Sequence, residues 1–215
     1  MGSCSIHLRD LPSTIQNSLF SPSHSDIFQV PSDWTAGRIW GRRDCDFSTN
    51  PGPNSCLDGG CNGGLQCDPN GGTGVPPASL AEFTLNSGGT DYYDVSLVDG
   101  YNLPLSITNT VGCGIANCPV DLGPNCPAPL IGPFDSTGFP VGCKSACEAN
   151  LDGNPANSPN CCSGQYNTPA TCPSSGVAYY SYFKWYGNRE QLPELLLLRL
   201  RRIKRHRALD LPRQP

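Results

Sequence analysis

The chain has 215 residues, 37% of them hydrophobic and 15% charged, with a formal net charge of −4. Its 24 glycines and 22 prolines argue against long helices and favour short strands joined by many turns. No apolar run reaches the ~18 residues of a membrane-spanning helix, and neither a G-X-Y nor a heptad period is present, which excludes collagen and coiled coil.

Residues 1–29 are polar, Ser-rich and without periodicity, and read as a poorly ordered leader. They contain Arg9, Asp10 and Asp26 but no apolar core, so no signal peptide is expected there. From Val30 to Gly112, strand-like runs alternate with Gly/Pro/Asn clusters. Arg38-Ile39-Trp40 is the first. Residues 80–85 alternate, with Ala81, Phe83 and Leu85 on one face and Glu82 and Thr84 on the other. Residues 92–98, rich in β-branched and aromatic side chains, predict a third strand, and residues 103–108 a fourth. Between Cys113 and Cys172 lie eight cysteines and many prolines, so small disulfide-closed loops are expected to take the place of a core there. Short helices are predicted over 144–150 and 178–183.

The thirteen cysteines include no C-x-x-C pair, and His7, His24 and His206 lie outside the Cys-rich body, so neither a structural zinc site nor a Ser-His-Asp or Cys-His arrangement can be assembled. Disulfides, and hence an oxidising secretory compartment, are the reading that remains. No metal or other cofactor is implied. There is no N-x-[ST] sequon, and Gly71-Gly72-Thr73-Gly74 lacks the Lys and helix of a phosphate loop.

Charge is distributed unevenly. Residues 1–184 carry 6 basic and 15 acidic side chains, whereas residues 185–215 carry 8 basic and 3 acidic. An acidic body disfavours nucleic acid and anionic lipid as partners. The tail runs from Leu195-Leu196-Leu197-Leu198 into Arg199-Leu200-Arg201-Arg202-Ile203-Lys204-Arg205. It reads either as a basic amphipathic helix or, preferably, as a C-terminus unrelated to the body, arising from an alternative exon or a shifted reading frame. A loosely attached or disordered segment is expected.

Several stretches in order carry a resemblance. They are Trp34-Thr35-Ala36-Gly37-Arg38-Ile39-Trp40-Gly41-Arg42, the Cys56 to Cys67 stretch with its glycines, Pro76-Pro77 to Leu85, and Asp91 to Pro104. Cys143-Lys144-Ser145-Ala146-Cys147, the Cys161-Cys162 pair and Tyr180-Ser181-Tyr182-Phe183-Lys184 complete them. Over residues 30–184 the chain resembles the plant thaumatin-like, pathogenesis-related proteins, departing from them at Asp58-Gly59-Gly60, where the family usually has Thr-Gly-Asp. The usual N-terminal strands and the acidic, Cys-containing ending are not recognisable.

The resemblance implies a mainly β protein, an incomplete form of the flattened thaumatin-like β-sandwich. It would have a partial β domain over 30–112, a disulfide-rich subdomain with short helices over 113–184, a leader at 1–29 and a basic tail at 185–215. It implies the bridges Cys45–Cys56, Cys61–Cys67, Cys126–Cys143, Cys147–Cys161 and Cys162–Cys172, closing loops of 7 to 18 residues. Cys113 and Cys118, whose counterparts bond to C-terminal cysteines, would pair with each other or stay as thiols, and Cys4 has no identifiable partner. The resemblance also implies an acidic cleft lined by Arg38, Glu82, Asp94 and Asp99. The five-residue offset between Asp94 and Asp99 would point them to opposite faces of an unbroken strand, so a bend before Gly100 is needed.

The expected activity is that of a monomeric, apoplastic, antifungal defence protein binding fungal-wall β-glucan or a fungal surface component. A weak endo-β-1,3-glucanase with Glu82 as acid and Asp99 or Asp94 as its partner is the alternative. Inhibition of microbial enzymes and a non-functional truncated product are the others.

Overall fold

The computed structural model describes residues 4–7, 30–48, 52–67, 74–110 and 112–187. The expectations for the rest of the leader and for the tail from residue 188 fall outside these residues. Eight short strands dominate: β1 (Cys4–His7), β2 (Gly37–Trp40), β3 (Arg43–Cys45), β4 (Cys56–Asp58), β5 (Leu80–Ser87), β6 (Thr90–Ser96), β7 (Leu105–Asn109) and β8 (Ala116–Cys118). One α-helix, α1 (Tyr180–Gly187), and four single 3-10 turns complete the regular structure among the described residues. The chain is mainly β, with antiparallel sheets ordered β2-β5-β6, β1-β7-β8 and β3-β4.

The alternation in β5 builds the layering. Ala81 and Phe83 pack against Leu105 and Ile107 of β7, with Trp34, Ile39, Leu85, Tyr93, Val95 and Ala116 around them, so two three-stranded sheets face each other across one core. Trp34 stacks on Phe83 with ring centroids 5.8 Å apart. The opposite face of β5, carrying Glu82 and Thr84, is left to solvent. The β5–β6 hairpin turns at Gly88 and Gly89, both with positive φ, as a two-residue hairpin loop requires. This turn lets β6 begin at Thr90, earlier than the expected 92. β7 begins only at Leu105, after Pro104, which has no N–H to give to a ladder.

Residues 1–29 offered no strand signal, yet β1 pairs antiparallel with β7. Four residues are too few for periodicity to register, and the pairing is supplied by the free edge of β7. β8 likewise joins β7 across the 112/113 boundary that composition suggested. The rise in cysteine density at that point does not mark where packing ends.

The Cys-rich part also contains a core of its own, contrary to the expectation. Tyr101, Cys118, Leu122, Cys126, Leu130 and Cys143 are buried together, with Ala149, Tyr182 and Phe183 packed against them. The half-cystines act as apolar fillers here, so a search for runs of Leu, Ile and Val undercounts this core.

No helix forms over 144–150. The chain makes consecutive turns there, the Ala149 N–H reaching Ser145 O and the Asn150 N–H reaching Cys147 O, and Asn150 adopts positive φ. The Cys147–Cys161 bridge holds this segment against the following loop. The second predicted helix is present as α1, displaced toward the C-terminus.

Among the described residues, five disulfides close Cys45–Cys56, Cys61–Cys67, Cys126–Cys143, Cys147–Cys161 and Cys162–Cys172. These are the pairs implied by the resemblance. Cys113 and Cys118 are thiols, the first exposed and the second buried.

Candidate functional site

The solvent face of the β2-β5-β6 sheet presents a row of charge perpendicular to its strands. Arg38 on β2 lies opposite Glu82 on β5, and Glu82 lies opposite Asp94 on β6. Directly opposed residues of antiparallel strands project to the same face, so backbone register alone brings the three together. Arg38 Nε donates to Glu82 Oε1 at 2.8 Å, an ion pair in which both side chains remain partly exposed.

Asp99 reaches this group by a different route. β6 ends at Ser96, the chain bends, and Gly100 follows with φ +83°. A Cβ at Gly100 would stand 2.6 Å from Cys143 O and 3.0 Å from Pro77 Cβ, so only glycine fits the approach. The Asp99 C=O accepts from the Ala78 N–H at 2.9 Å, which fastens the bend to the start of β5. The five-residue parity conflict between Asp94 and Asp99 is thereby removed, and Asp99 feels both Arg38 and Glu82.

Burial raises the Asp99 carboxyl above its ordinary value, with Arg38 pulling it down and Glu82 pushing it up. Asp94 is raised by partial burial and then by the charge of Glu82. Beside this row, Thr84 lies opposite Tyr92, and Ala36, Glu82, Phe83, Thr84, Tyr92 and Asp94 line a shallow depression of about 140 Å³. The Tyr92 ring is 58% exposed at its rim. Sequence reading passed over Tyr92, although its even spacing from Asp94 in an alternating strand places it on the same face.

Two further carboxyls lie behind the row. Asp58, fully buried on β4, shares a strand face with the half-cystine Cys56. Its Oδ1 accepts from Asn102 Nδ2 at 2.9 Å, while Oδ2 has no partner. Desolvation lifts this carboxyl to about 7, against the pull of Asn102 and Arg43. Glu148 is likewise lifted to about 7 by burial, with Lys144 opposing and Asp99 and Asp58 reinforcing. Among the described residues, no group of three or more His, Cys, Asp or Glu is placed to hold a metal ion.

A separate cavity of about 190 Å³ opens between Leu103, Phe139, Pro140 and Asp121. Arg43 spans its wall, donating to the carbonyls of Val141 and Asn102. No helix among the described residues is long and apolar enough to cross a membrane.

The thaumatin family model matches residues 9–189, reaching back well before Val30, where the sequence motifs begin. The chain is 45% identical over 168 residues to pathogenesis-related thaumatin-like protein 3.5 of Cryptomeria japonica, covering 76% of this chain and 63% of that protein. It is 42% identical over 173 residues to thaumatin-like protein 1 of Arabidopsis thaliana, covering 76% and 61%. With pathogenesis-related protein 5 of Arabidopsis thaliana the identity is 45% over 158 residues, covering 71% and 60%. The chain thus spans about three-fifths of the length of these curated relatives. The register that sets Arg38, Glu82 and Asp94 in one row, the five short-range bridges and these matches converge: the chain belongs to the thaumatin family.

Proposed function

We propose that this chain is a secreted plant defence protein that binds a fungal-wall β-1,3-glucan, or a related fungal surface component, on the acidic face of the β2-β5-β6 sheet. The observation that carries the reading is the row Arg38–Glu82–Asp94 with Asp99 turned in beside it. Carboxylates accept hydrogen bonds from sugar hydroxyls, the guanidinium donates to them, and the exposed Tyr92 ring offers an apolar platform at the same depression. The names of the pathogenesis-related relatives support a defence role, and the ten half-cystines of this chain suit an extracellular compartment.

Binding is preferred to hydrolysis because Glu82 Oε1 already accepts from Arg38 Nε, so the carboxyl expected to serve as the acid is engaged in an ion pair. One observation favours a weak endo-β-1,3-glucanase as the second reading. Burial favours the protonated form of Asp99, as a general acid requires, with Glu82 as a second carboxyl beside it.

The test is calorimetric titration of the oxidised protein with a soluble β-1,3-glucan, alongside release of reducing sugar. Saturable binding that is weakened at least tenfold in Glu82→Gln, with no sugar released, is the expected result. Sugar release abolished in Asp99→Asn establishes the second reading. Absence of binding to both the glucan and isolated fungal walls overturns both.

A further inference from the structure

Two opposite charges line the cavity of about 190 Å³ without meeting. Arg43, half-buried at the start of β3, uses Nη1 to donate to the carbonyls of Val141 and Asn102. These bonds fix the guanidinium, while its Nε and Nη2 have no hydrogen-bond partner among the described residues. Asp58, opposite Arg43 in the β3–β4 ladder, keeps its proton until about pH 7 and does not neutralise the guanidinium below that. Asp121 stands exposed at the mouth. Its Oδ1 accepts from the Tyr101 hydroxyl at 3.1 Å and from the Gly123 N–H at 2.9 Å. Its Oδ2 has no hydrogen-bond partner among the described residues, and no ion pair there joins it to Arg43.

The rest of the wall is largely apolar. Leu103, Pro104 and Val141 are buried in it, and Pro124 and Phe139 form its rim. The Phe139 ring is 52% exposed, yet its backbone is tied down. The Phe139 N–H donates to Asp135 Oδ1 at 2.9 Å, the Asp135 N–H donates to Phe139 O at 2.9 Å, and Phe134 pairs with Pro140 across the same hairpin. An aromatic side chain on a fixed backbone at the mouth of an apolar cavity can cover a flat ligand at little ordering cost. The volume lies below the roughly 300 Å³ at which drug-sized pockets begin. It suits one ring and not an oligosaccharide.

We propose that this cavity binds a small aromatic carboxylate carrying a hydroxyl on the far side of its ring, of which 4-hydroxybenzoate is the simplest. The ligand carboxylate takes the free donors of Arg43, whose planar fork matches a carboxylate at two points. The hydroxyl donates to Asp121 Oδ2, and the ring lies against Phe139 and the proline faces. A neutral sugar fits less well, because its hydroxyls surround the ring and the apolar wall offers them no partners. An inorganic anion leaves that wall and Asp121 unused. The cavity shares no residue with the depression beside the Arg38–Glu82–Asp94 row, so the proposal is independent of the glucan-binding reading.

The experiment is calorimetric titration of the oxidised full chain at about pH 7, where a benzoate is ionised and a phenol is not. The ligands are 4-hydroxybenzoate, benzoate and 4-hydroxybenzyl alcohol. The expected result is saturable binding of 4-hydroxybenzoate with a dissociation constant below about 1 mM, within what a ligand of about ten heavy atoms can reach. Benzoate should bind at least about fivefold more weakly and the alcohol at least about tenfold, which tests each polar anchor without altering the protein. Phe139→Ala, at an exposed position, should weaken 4-hydroxybenzoate at least about fivefold with the thermal midpoint unchanged. Asp121→Asn should narrow its preference over benzoate, and Glu82→Gln should change nothing. No saturation at about 10 mM, far above the expected constant, overturns the proposal. So do equal affinities for the three ligands, full affinity in Phe139→Ala, or lost affinity in Glu82→Gln.

Discussion

Replacing Asp58 by Asn should remove a large part of the dependence of stability on pH. The side chain is fully buried on β4, with one oxygen hydrogen-bonded to Asn102 and the other without a partner. Desolvation moves its carboxyl from an ordinary 3.8 to about 7. The folded state thus keeps the proton until about pH 7, while the unfolded chain releases it near 3.8. Between those values the folded state binds more protons, so stability falls as pH rises. The contribution is least unfavourable below 3.8 and reaches its full cost above about 7. At 1.36 kcal/mol per pH unit that cost is about 4 kcal/mol, or roughly 10 °C in the thermal midpoint of a domain this size.

Asn is nearly isosteric and uncharged, so Asp58→Asn removes this part of the slope. Glu148, Asp94 and Asp99 are raised as well and leave a residual slope of the same sign. Asp135 and Asp152, held low by hydrogen bonds from Thr137 and Ser158, add a slope of opposite sign near pH 4 that is common to both proteins and cancels in their difference. The assay is the midpoint of oxidised wild type and Asp58→Asn by circular dichroism at pH 4, 5.5 and 7.5. The two curves should meet near pH 4 and separate by roughly 10 °C at pH 7.5, with the variant higher. A variant that keeps the wild-type slope refutes the argument that Asp58 is buried without a compensating partner.

Three further outcomes are expected. Gly100→Ala meets positive φ and the Cys143 carbonyl together, so it should cost at least 1–3 kcal/mol and weaken glucan binding by displacing Asp99, read as a lower midpoint with a reduced affinity. Phe83→Ala, which empties the space between the two sheets beside Trp34, should cost about 3–5 kcal/mol in denaturant unfolding while leaving the five bridges intact. Tyr92→Ala should leave the midpoint within about 0.5 kcal/mol of wild type, because its ring is exposed, yet lower glucan affinity, whereas Tyr92→Phe should retain it.

Much of this architecture could be read before any coordinates, and the reasons are specific. β5 is legible because its period of two separates Ala81 and Phe83 from Glu82 and Thr84, and burial follows that division residue by residue. The Asp94–Asp99 conflict was also legible as a demand for a bend, which Gly100 meets. Asp58 stood out in the sequence only as a departure from the family pattern; its burial escaped notice because a three-residue strand gives no periodicity, although its spacing of two from the half-cystine Cys56 was a usable hint. Glu148 carried no such hint: its burial comes from loops brought together by tertiary packing. The expected helix over 144–150 failed for a related reason. Local propensity there yields to the Cys147–Cys161 closure and to the left-handed turn at Asn150.

Because the Arg38–Glu82–Asp94 row runs across the strands instead of along one, the spacing of its charges is fixed by the hydrogen-bond ladder at about 4.8 Å per strand. Side-chain exchange can change how far each group reaches above the sheet, but not the pitch at which groups are set out. A ligand is thus gauged against a rigid comb whose tooth spacing belongs to the backbone. Divergence in ligand preference among proteins built this way should appear as changes in tooth length and charge at positions 38, 82 and 94, and as changes in the bend that carries Asp99. Of these, only the bend can shift a charge sideways.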